Sequence, residues 1–400
     1  MRPRVFIAMH YLELGGAESA LIGLLDAWDY DRADIDLFLY AHRGELMRYI
    51  PARVNLLPEN RHYASIESPV GDALRRGCLG VVLGRWLGHR SFARFTRREN
   101  PDNGDAVFAH IGKAVTRFLP RMSERVYDLA ISFLTPHFQV LEHVNARRKI
   151  CWIHTDYSHI HPDVGLERPM WSAFDHIISI SPDVTRSFLK RFPGLDDRIV
   201  EIENIMPVHL IRGRAKESLA SGIYDKDTFN ILSVGRFTYP KNFDNIPAIL
   251  RQTISITGND NLRWHLIGYG LEEEKIRKAI KDRGMENHVI IHGKKENPYP
   301  YIAGCDLYVQ PSRYEGKSVC VREAQALGRP VVIADYPTAP SQVADGTDGI
   351  ILPLDNDRFA RGLASVIEND ALMSRLSENC MARDYSSRAE IEKLYSLIPR

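Results

Sequence analysis

The 400-residue sequence is poor in cysteine and has no long apolar run. Its five cysteines are scattered and contain no C-x-x-C pair, so we expect reduced thiols in the core of a cytoplasmic protein. The apolar stretches at 5–9 and 78–84 are too short for a signal peptide or a membrane span. The cysteines are Cys78, Cys151, Cys305, Cys320 and Cys380.

The sequence also has almost no net charge. Its 52 Lys and Arg against 51 Asp and Glu give a formal charge of +1, which offers no overall reason to expect nucleic-acid binding. With 44% hydrophobic and 26% charged residues, the composition is that of an ordinary globular protein. Four hundred residues exceed what one hydrophobic core usually covers, so we expect two domains.

Short β-branched runs alternate with longer amphipathic stretches, which predicts βαβ units around parallel sheets. Two sets of strands predict two Rossmann-like doubly wound domains, 1–205 and 206–387, because apolar periodicity breaks within 204–227. The predicted strands are Arg4 to Met9, Ile35 to Tyr40, Leu129 to Phe133, Lys149 to His154, His176 to Ser181, Asn230 to Val234, Arg263 to Ile267, Val289 to His292, Leu307 to Gln310, Val331 to Ala334 and Gly349 to Leu352.

Two glycine pairs follow predicted strands. Gly15 and Gly16 stand between the first strand and a helical pattern, where glycine lets the backbone approach a ligand and a helix N-terminus favours an anion. This is not a complete G-x-G-x-x-G, and a simple tight turn is the alternative. Gly268 and Gly270 likewise end the strand 263–267, and ligands of such sheets bind at the carboxyl ends of strands.

The second domain opens with a strand followed by Gly235, Arg236 and, five residues further on, Lys241. An Arg and a Lys on such a loop can converge on one diphosphate, the Arg as a planar fork and the Lys as a point charge. Two solvated cations on a surface loop are the alternative.

The segment 311–324 combines a turn with two acidic residues. A strand precedes it and the helical pattern 319–327 follows, so Gly316, Lys317, Ser318 and Val319 are predicted to present free backbone N–H groups as a second diphosphate cradle.

Glu315 stands just before this turn and Glu323 about two helical turns later. A carboxylate can accept two hydrogen bonds from a vicinal diol, so Glu315 can face the sugar of a ligand and Glu323 its ribose. The alternative is that Glu315 caps the helix and Glu323 is a surface residue.

Together these motifs resemble the large family of retaining glycosyltransferases labelled glycosyl transferases group 1, whose GT-B architecture has two Rossmann-like domains facing across a cleft. The resemblance covers nearly the whole chain. It rests on Gly15-Gly16-Ala17-Glu18, His154, Gly235-Arg236 with Lys241, Gly268-Tyr269-Gly270, and the E-x7-E pair Glu315 and Glu323. Departures from the family pattern include Lys317, Leu271 and Gln342, which stands where a Glu is frequent.

The resemblance implies roles for single residues. Arg236 and Lys241 would bind the donor diphosphate, and Gly16 would close over the phosphates. Glu315 would contact the transferred sugar, Glu323 the ribose, and His154 would orient the donor sugar. The implied catalytic residues are His154, Glu315, Arg236 and Lys241, and the implied donor-binding residues are Gly15, Gly16, Gly235, Arg236, Lys241, Gly268, Gly270, Gly316, Lys317, Ser318, Val319 and Glu323.

The implied reaction is retaining transfer of a hexose from a nucleotide sugar, most commonly a UDP-sugar, to a glycan or polyprenyl-diphosphate-linked acceptor in bacterial surface polysaccharide or glycoconjugate synthesis. The first domain would serve the acceptor, with a C-terminal helix, 388–400, packing back on it. We expect no metal or other cofactor, because the donor domain has no D-x-D at a strand end and the His-rich segment 152–163 matches no firm zinc signature.

There are two alternatives to a glycosyltransferase. A sugar-nucleotide epimerase or hydrolase of the same architecture should carry extra carboxylates near the sugar, and no convincing set is present. A non-catalytic sugar-nucleotide-binding partner is expected to have lost Glu315, Arg236 or Lys241, and all three are present.

Cationic residues are concentrated between Arg75 and Arg125, where eleven Lys and Arg stand against four acidic residues and alternate with apolar ones. This mixture predicts a helix lying in a lipid interface and peripheral attachment to the anionic inner face of the plasma membrane. A solvated basic face that guides an anionic acceptor is the alternative. The apolar residues are Leu79, Val81, Val82, Leu83, Trp86, Leu87, Phe92 and Phe95.

Overall fold

The computed structural model describes residues 2–13, 15–99, 104–217 and 223–399, and only the backbone of His159. The chain divides into two compact units. The first comprises Met1–Pro207 with Ser387–Arg400, and the second Val208–Ser386.

The first unit is built on a parallel sheet with the strand order β3-β2-β1-β4-β5-β6-β7. Its interior strand β1 is buried from Val5 to Met9, as expected for a parallel strand covered on both faces. The elements are β1 Arg4–Met9, α1 Gly16–Ala27, β2 Asp34–Leu39, β3 Asn55–Leu56, α2 Arg61–Ala64, α3 Val70–Arg75, α4 Leu79–Glu99, α5 Val107–Thr116, β4 Val126–Ser132, α6 Phe138–His143, β5 Asn145–Ile153, α7 Val164–Ser172, β6 His176–Ser179, α8 Pro182–Arg191 and β7 Ile199–Glu201.

The second unit has a parallel sheet with the order β10-β9-β8-β11-β12-β13. The elements are α9 Val208–Arg214, β8 Phe229–Val234, α10 Ile246–Thr257, β9 Leu262–Ile267, α11 Glu273–Asp282, β10 Val289–Gly293, α12 Tyr299–Gly304, β11 Leu307–Gln310, α13 Val319–Ala326, β12 Val331–Ala334, β13 Ile350–Leu352, α14 Asn356–Ile367 and α15 Asp370–Ala382.

Every strand predicted from the sequence is present in the structure, with ends that differ by up to four residues. The sequence did not predict β3 and β7 as strands. Both are edge strands of two or three residues that are partly exposed, so neither forms an apolar run.

Each sheet reverses its strand order beside its first strand. The chain runs outward from β1 through β2 to β3 and then returns to place β4 on the other side of β1; the second unit does the same with β9, β10 and β11 around β8. In doubly wound sheets the ligand crevice lies at the carboxyl ends of the strands at this reversal. The loops after β1, β8 and β11 leave from these points, and they carry the sequence motifs.

The C-terminal segment belongs to the first unit. Its helix α16, Ile391–Ser396, places the Tyr395 hydroxyl oxygen 2.5 Å from the backbone nitrogen of Asp29, which donates to it. The Tyr395 ring lies 4.9 Å from that of Trp28, and Glu392 pairs with Arg32 at 2.6 Å. Within the four described ranges, no helix combines the length and apolar character needed to cross a membrane.

Candidate functional site

Glycines join two loops at the carboxyl edge of the second sheet. Gly268 and Gly270 have φ of +155° and +157°, a region that favours glycine. A Cβ on Gly268 would lie 1.9 Å from the Gly235 carbonyl oxygen, and one on Gly270 would lie 2.3 Å from that of Phe237. The loops after β8 and β9 therefore pack backbone to backbone, and any side chain at these glycines would separate them.

Lys241 and Glu315 form an ion pair beside these glycines. Lys241 Nζ lies 2.5 Å from Glu315 Oε1, and their side chains are only 19% and 12% exposed. Ser312 Oγ donates to the same carboxylate oxygen at 2.7 Å. The Lys241 side chain passes close to Gly235, where a Cβ would lie 3.3 Å from Lys241 Cε. The structure thus brings together Gly235, Lys241 and Glu315.

Arg236 lies on the same loop but is exposed, and its side chain makes no ion pair with any acidic residue in the described ranges. The convergence of Arg236 and Lys241 on one diphosphate stays a prediction.

The start of α13 differs from the sequence prediction. Gly316 to Val319 were expected to present free N–H groups, but the Ser318 N–H donates to Gln342 Oε1 at 3.1 Å. Gln342 Nε2 in turn donates to the Ser318 carbonyl oxygen, and Tyr336 donates to Gln342 Oε1 at 3.0 Å. The prediction is wrong for Ser318 because an amide side chain 24 residues further on occupies its N–H. A Glu at this position could accept but not donate.

Glu323 is buried, so the alternative that it is a surface residue is wrong. The Tyr299 hydroxyl donates to Glu323 Oε1 at 2.9 Å, and the Arg214 guanidinium lies 5.1 Å from the Tyr299 ring. Burial raises the pKa of Glu323, although the bond from Tyr299 opposes the shift. The carboxyl group therefore holds a proton at a higher pH than a solvated Glu. Its ribose role stays a prediction.

His154 follows β5 in the first unit. Its ring lies 4.8 Å from that of Phe133 and stacks 6.0 Å from Trp152 at 6°. Burial lowers the pKa of His154 to about 3, so the ring is neutral at physiological pH. Both ring nitrogens are buried, and neither has a side-chain hydrogen-bond partner in the described part of the chain.

Gly15 and Gly16 begin α1 in the first unit. Gly15 is the residue before the helix, and a Cβ there would lie 2.1 Å from Glu18 Oε2. The absence of a side chain at Gly15 makes room for the Glu18 carboxylate at the helix start. Leu14, in the same loop, lies outside the described residues.

A cluster of polar and aromatic side chains at the end of β1 was not predicted from the sequence. His10 Nδ1 lies 2.9 Å from Glu67 Oε1, and the His10 ring stacks on Tyr40 at 4.7 Å. Burial opposes ionisation of Glu67, but His10 and the nearby charge of Arg43 lower its pKa. Because an ionised carboxylate only accepts, the hydrogen between these two atoms lies on Nδ1. Nε2 is buried with no partner among the residues described.

One signal could have indicated His10: it directly follows a predicted strand at the sheet edge that carries Gly15. Glu67 could not have been found this way, because it lies 57 residues further along the chain.

The described residues contain no group of three side chains that could hold a metal ion. In the His-rich segment 152–163, the side chain of His159 lies outside the described part.

Residues 215–383, all in the second unit, match the protein family described as "Glycosyl transferases group 1". The second unit of the chain is therefore a glycosyl transferases group 1 domain. Its matched segment contains Arg236, Lys241, Glu315 and Glu323, so the residues that carried the resemblance in the second unit lie inside the family match.

Two relatives of the chain are bacterial glycosyltransferases. The chain is 29% identical over 182 residues to the N-acetylgalactosamine-N,N'-diacetylbacillosaminyl-diphospho-undecaprenol 4-alpha-N-acetylgalactosaminyltransferase of Campylobacter jejuni, covering 45% of this chain and 47% of the relative. It is 30% identical over 149 residues to the poly(ribitol-phosphate) alpha-N-acetylglucosaminyltransferase of Staphylococcus aureus, covering 36% of this chain and 30% of the relative. Both matches span less than half of the relative.

Solved structures with a similar fold cover nearly all of the chain. Anabaena HepE, in complex with UDP, has a TM-score of 0.66 at 18% identity and covers 99% of this chain and 100% of its own. S. aureus TarM has a TM-score of 0.70 at 14% identity and covers 100% of this chain and 99% of its own. The predicted fold class, two Rossmann-like doubly wound domains of the GT-B type, is confirmed.

Proposed function

We propose that this chain is a retaining glycosyltransferase that transfers a hexose from a nucleotide sugar to a glycan or polyprenyl-diphosphate-linked acceptor. The nucleotide that we propose is UDP. The observation that carries the proposal is the largely buried pair Lys241 and Glu315, fixed beside Gly235 at the carboxyl edge of the second sheet. At this edge a cation can bind the charged diphosphate of such a donor, and a carboxylate can bind the hydroxyl groups of its sugar.

On the donor side, Lys241 and Arg236 stabilise the negative charge that develops on the leaving diphosphate. The Lys241 ammonium has three hydrogens, so it can bond to a phosphate oxygen while it keeps Glu315 in place. The Glu315 carboxylate, oriented by Ser312 and Lys241, accepts hydrogen bonds from hydroxyls of the transferred sugar. Glu323 accepts from the ribose through the carboxylate oxygen that Tyr299 does not use.

On the acceptor side, the first unit contributes His10 and Glu67. The carboxylate accepts from Nδ1, and in the neutral imidazole Nε2 is then an acceptor, which suits a hydroxyl group. His10 is therefore assigned as a positioning residue that bonds to a hydroxyl group of the acceptor. The proton of the attacking hydroxyl passes to the departing diphosphate oxygen on the same face of the sugar, so the reaction needs no metal and no separate base.

The two relatives support the finer parts of this proposal. Both names print an alpha linkage, which is the product of retention from an alpha-linked nucleotide sugar, and one names a diphospho-undecaprenol acceptor. With a nucleotide-sugar donor, the proposed place of the reaction is the cytoplasm.

Thermal shifts against a panel of nucleotide sugars test the donor, since a ligand at 100 times its Kd stabilises by about 2.7 kcal/mol. The stabilising sugar nucleotide is then incubated with polyprenyl-diphosphate or glycan acceptors, and the anomeric configuration of the product is read by NMR. Lys241→Ala and Glu315→Gln should abolish most transfer, while Lys278→Ala, on an exposed helix, should not.

Inversion at the anomeric carbon, or near-normal transfer in both site variants, would contradict the proposal. Turnover of the nucleotide sugar without any acceptor would favour the epimerase or hydrolase, and binding without turnover would favour a non-catalytic partner.

A further inference from the structure

Exposed apolar side chains in the first unit are concentrated on one short segment. Of the seven large hydrophobic residues that are exposed in its described part, five lie between 70 and 86. They extend over α3 and the first half of α4, and the most exposed is Leu79 at 67%. We define the α3–α4 face by Val70, Leu74, Leu79, Leu83 and Trp86 together with the arginines Arg76, Arg90, Arg94 and Arg97.

Helical spacing places these residues on one side of α4. Leu79, Leu83 and Trp86 are followed by Arg90, Arg94 and Arg97 at intervals of three or four, so they form one stripe that is apolar in its first half and cationic in its second.

Contacts on the opposite side fix the direction of this stripe. A Cβ on Gly84 would lie 2.8 Å from Val115 Cα, and one on Gly88 would lie 2.5 Å from Ile111 Cα. The backbones of α4 and α5 therefore pack against each other, and Val81 and Phe95 are buried in the core. Val81 and Phe95 were predicted to lie in the lipid interface, and this prediction was wrong because both lie on the packed side.

The loop before α3 is tied to α4. Arg85 donates to the backbone carbonyl of Ser68 at 2.5 Å and of Ser65 at 3.3 Å. These two bonds fix the entry to α3 against α4.

Charge indicates what this face binds. Asp72 and Glu99 are the acidic residues among 70–99, and they pair with Arg75 and Arg98. Arg76, Arg90, Arg94 and Arg97 are exposed and form no ion pair with any residue in the described ranges; Asp102 lies outside those ranges. The Arg90 guanidinium lies 5.3 Å from the Trp86 ring, a pairing of an aromatic group with a cation that suits the headgroup region.

We propose that the α3–α4 face docks the protein on an anionic phospholipid bilayer, with Leu79, Leu83 and Trp86 in the interface and the arginines on lipid phosphates. A second copy of this chain would place two cationic stripes against each other, which like-charge repulsion disfavours. The inference rests on the first unit alone and does not depend on the proposed transferase activity.

The full chain is tested by flotation with vesicles of 70% phosphatidylcholine and 30% phosphatidylglycerol, and with pure phosphatidylcholine. Binding should require the anionic lipid and weaken as salt rises from 0.05 to 0.5 M. Each arginine near the surface contributes about fivefold in partitioning, so the triple variant Arg90→Gln, Arg94→Gln, Arg97→Gln should lose on the order of 100-fold.

A matched control removes the same charge from exposed helices of the second unit, as Arg358→Gln, Arg361→Gln, Arg375→Gln, and should lose less than about threefold. Leu83→Ser is compared with Ile256→Ser, since these residues are 47% and 45% exposed on helices of different units. Only Leu83→Ser should weaken binding.

Trp86 provides a direct readout of insertion. All five tryptophans are described, and the other four (Trp28, Trp152, Trp171 and Trp264) are buried. Vesicles with brominated acyl chains should quench the Trp86 emission, and Trp86→Phe should abolish the quenching. UDP-induced stabilisation of each variant checks the proposed donor site separately, so loss of that site would not imitate loss of docking.

Three results would overturn the proposal: absence of binding to anionic vesicles, equal losses in the two triple variants, or binding without quenching of Trp86. The last would show purely electrostatic attachment, without insertion of the apolar half of the face.

Discussion

The pair Lys241 and Glu315 makes a quantitative prediction about stability. Lys241→Met keeps the length of the side chain but removes its charge, and it leaves the Glu315 carboxylate in a site where its side chain is 12% exposed. Breaking a buried ion pair on one side costs about 3 to 5 kcal/mol. Ser312 still donates to Glu315 in the variant, so we expect a smaller loss, about 2 to 3 kcal/mol.

Differential scanning calorimetry measures this loss on the transition of the second unit. At about 2 to 4 °C per kcal/mol for a domain of this size, the Tm should fall by roughly 4 to 12 °C. Lys278→Met is the control, because Lys278 Nζ lies equally close to Asp282 Oδ2, at 2.5 Å, but on an exposed surface. Its effect should stay within about 0.5 kcal/mol.

A double variant tests the reasoning. Lys241→Met with Glu315→Leu removes both charges, and apolar replacement of a whole buried pair is often neutral or stabilising. The double variant should therefore recover most of the stability lost in Lys241→Met. Equal losses for Lys241→Met and Lys278→Met, or a double variant as unstable as the single one, would refute the view that a desolvated carboxylate is the cause.

Burial raises the pKa of Glu167 from 4.5 to about 7. Between these two pH values the folded state keeps a proton that the unfolded chain has lost. The free energy of unfolding should therefore rise by about 3 kcal/mol as the pH falls from above 7 towards 4.5. Glu167→Gln should flatten this dependence in urea titrations at stepped pH; an unchanged slope would contradict it. Gly268→Ala should cost more than about 3 kcal/mol in the same assay, whereas Gly213→Ala, in open space, should stabilise by up to about 1 kcal/mol. Gln342→Glu should lower the Tm, because it loses the donor to the Ser318 carbonyl, and an unchanged Tm would argue against that bond.

The fold could be predicted because parallel strands covered on both faces are apolar throughout. β1 and β12 carry the continuous apolar runs VFIAM and VVIA, whereas β7, with the sequence IVE, is too short to be recognised.

The composition of the site could be predicted more fully than its contacts. The sequence shows the types and the order of the site residues Arg236, Lys241, Glu315 and Glu323. It does not show which residues are in contact, because the partner of Lys241 lies 74 residues away. That contact depends on β11 lying beside β8, and strand order is not encoded in local periodicity. Likewise, the bond between Ser318 and Gln342 requires the tertiary structure.

The return of the C-terminal segment to the first unit has a consequence for synthesis. The second unit ends at Ser386, but the first unit lacks the ring that packs on Trp28 until Tyr395 has been made. Domains usually complete in order from the N-terminus, at about 5 to 20 residues per second. Here the 179 residues of Val208–Ser386 intervene, so on a ribosome the unit that begins first should finish last, after a delay of roughly 10 to 35 s.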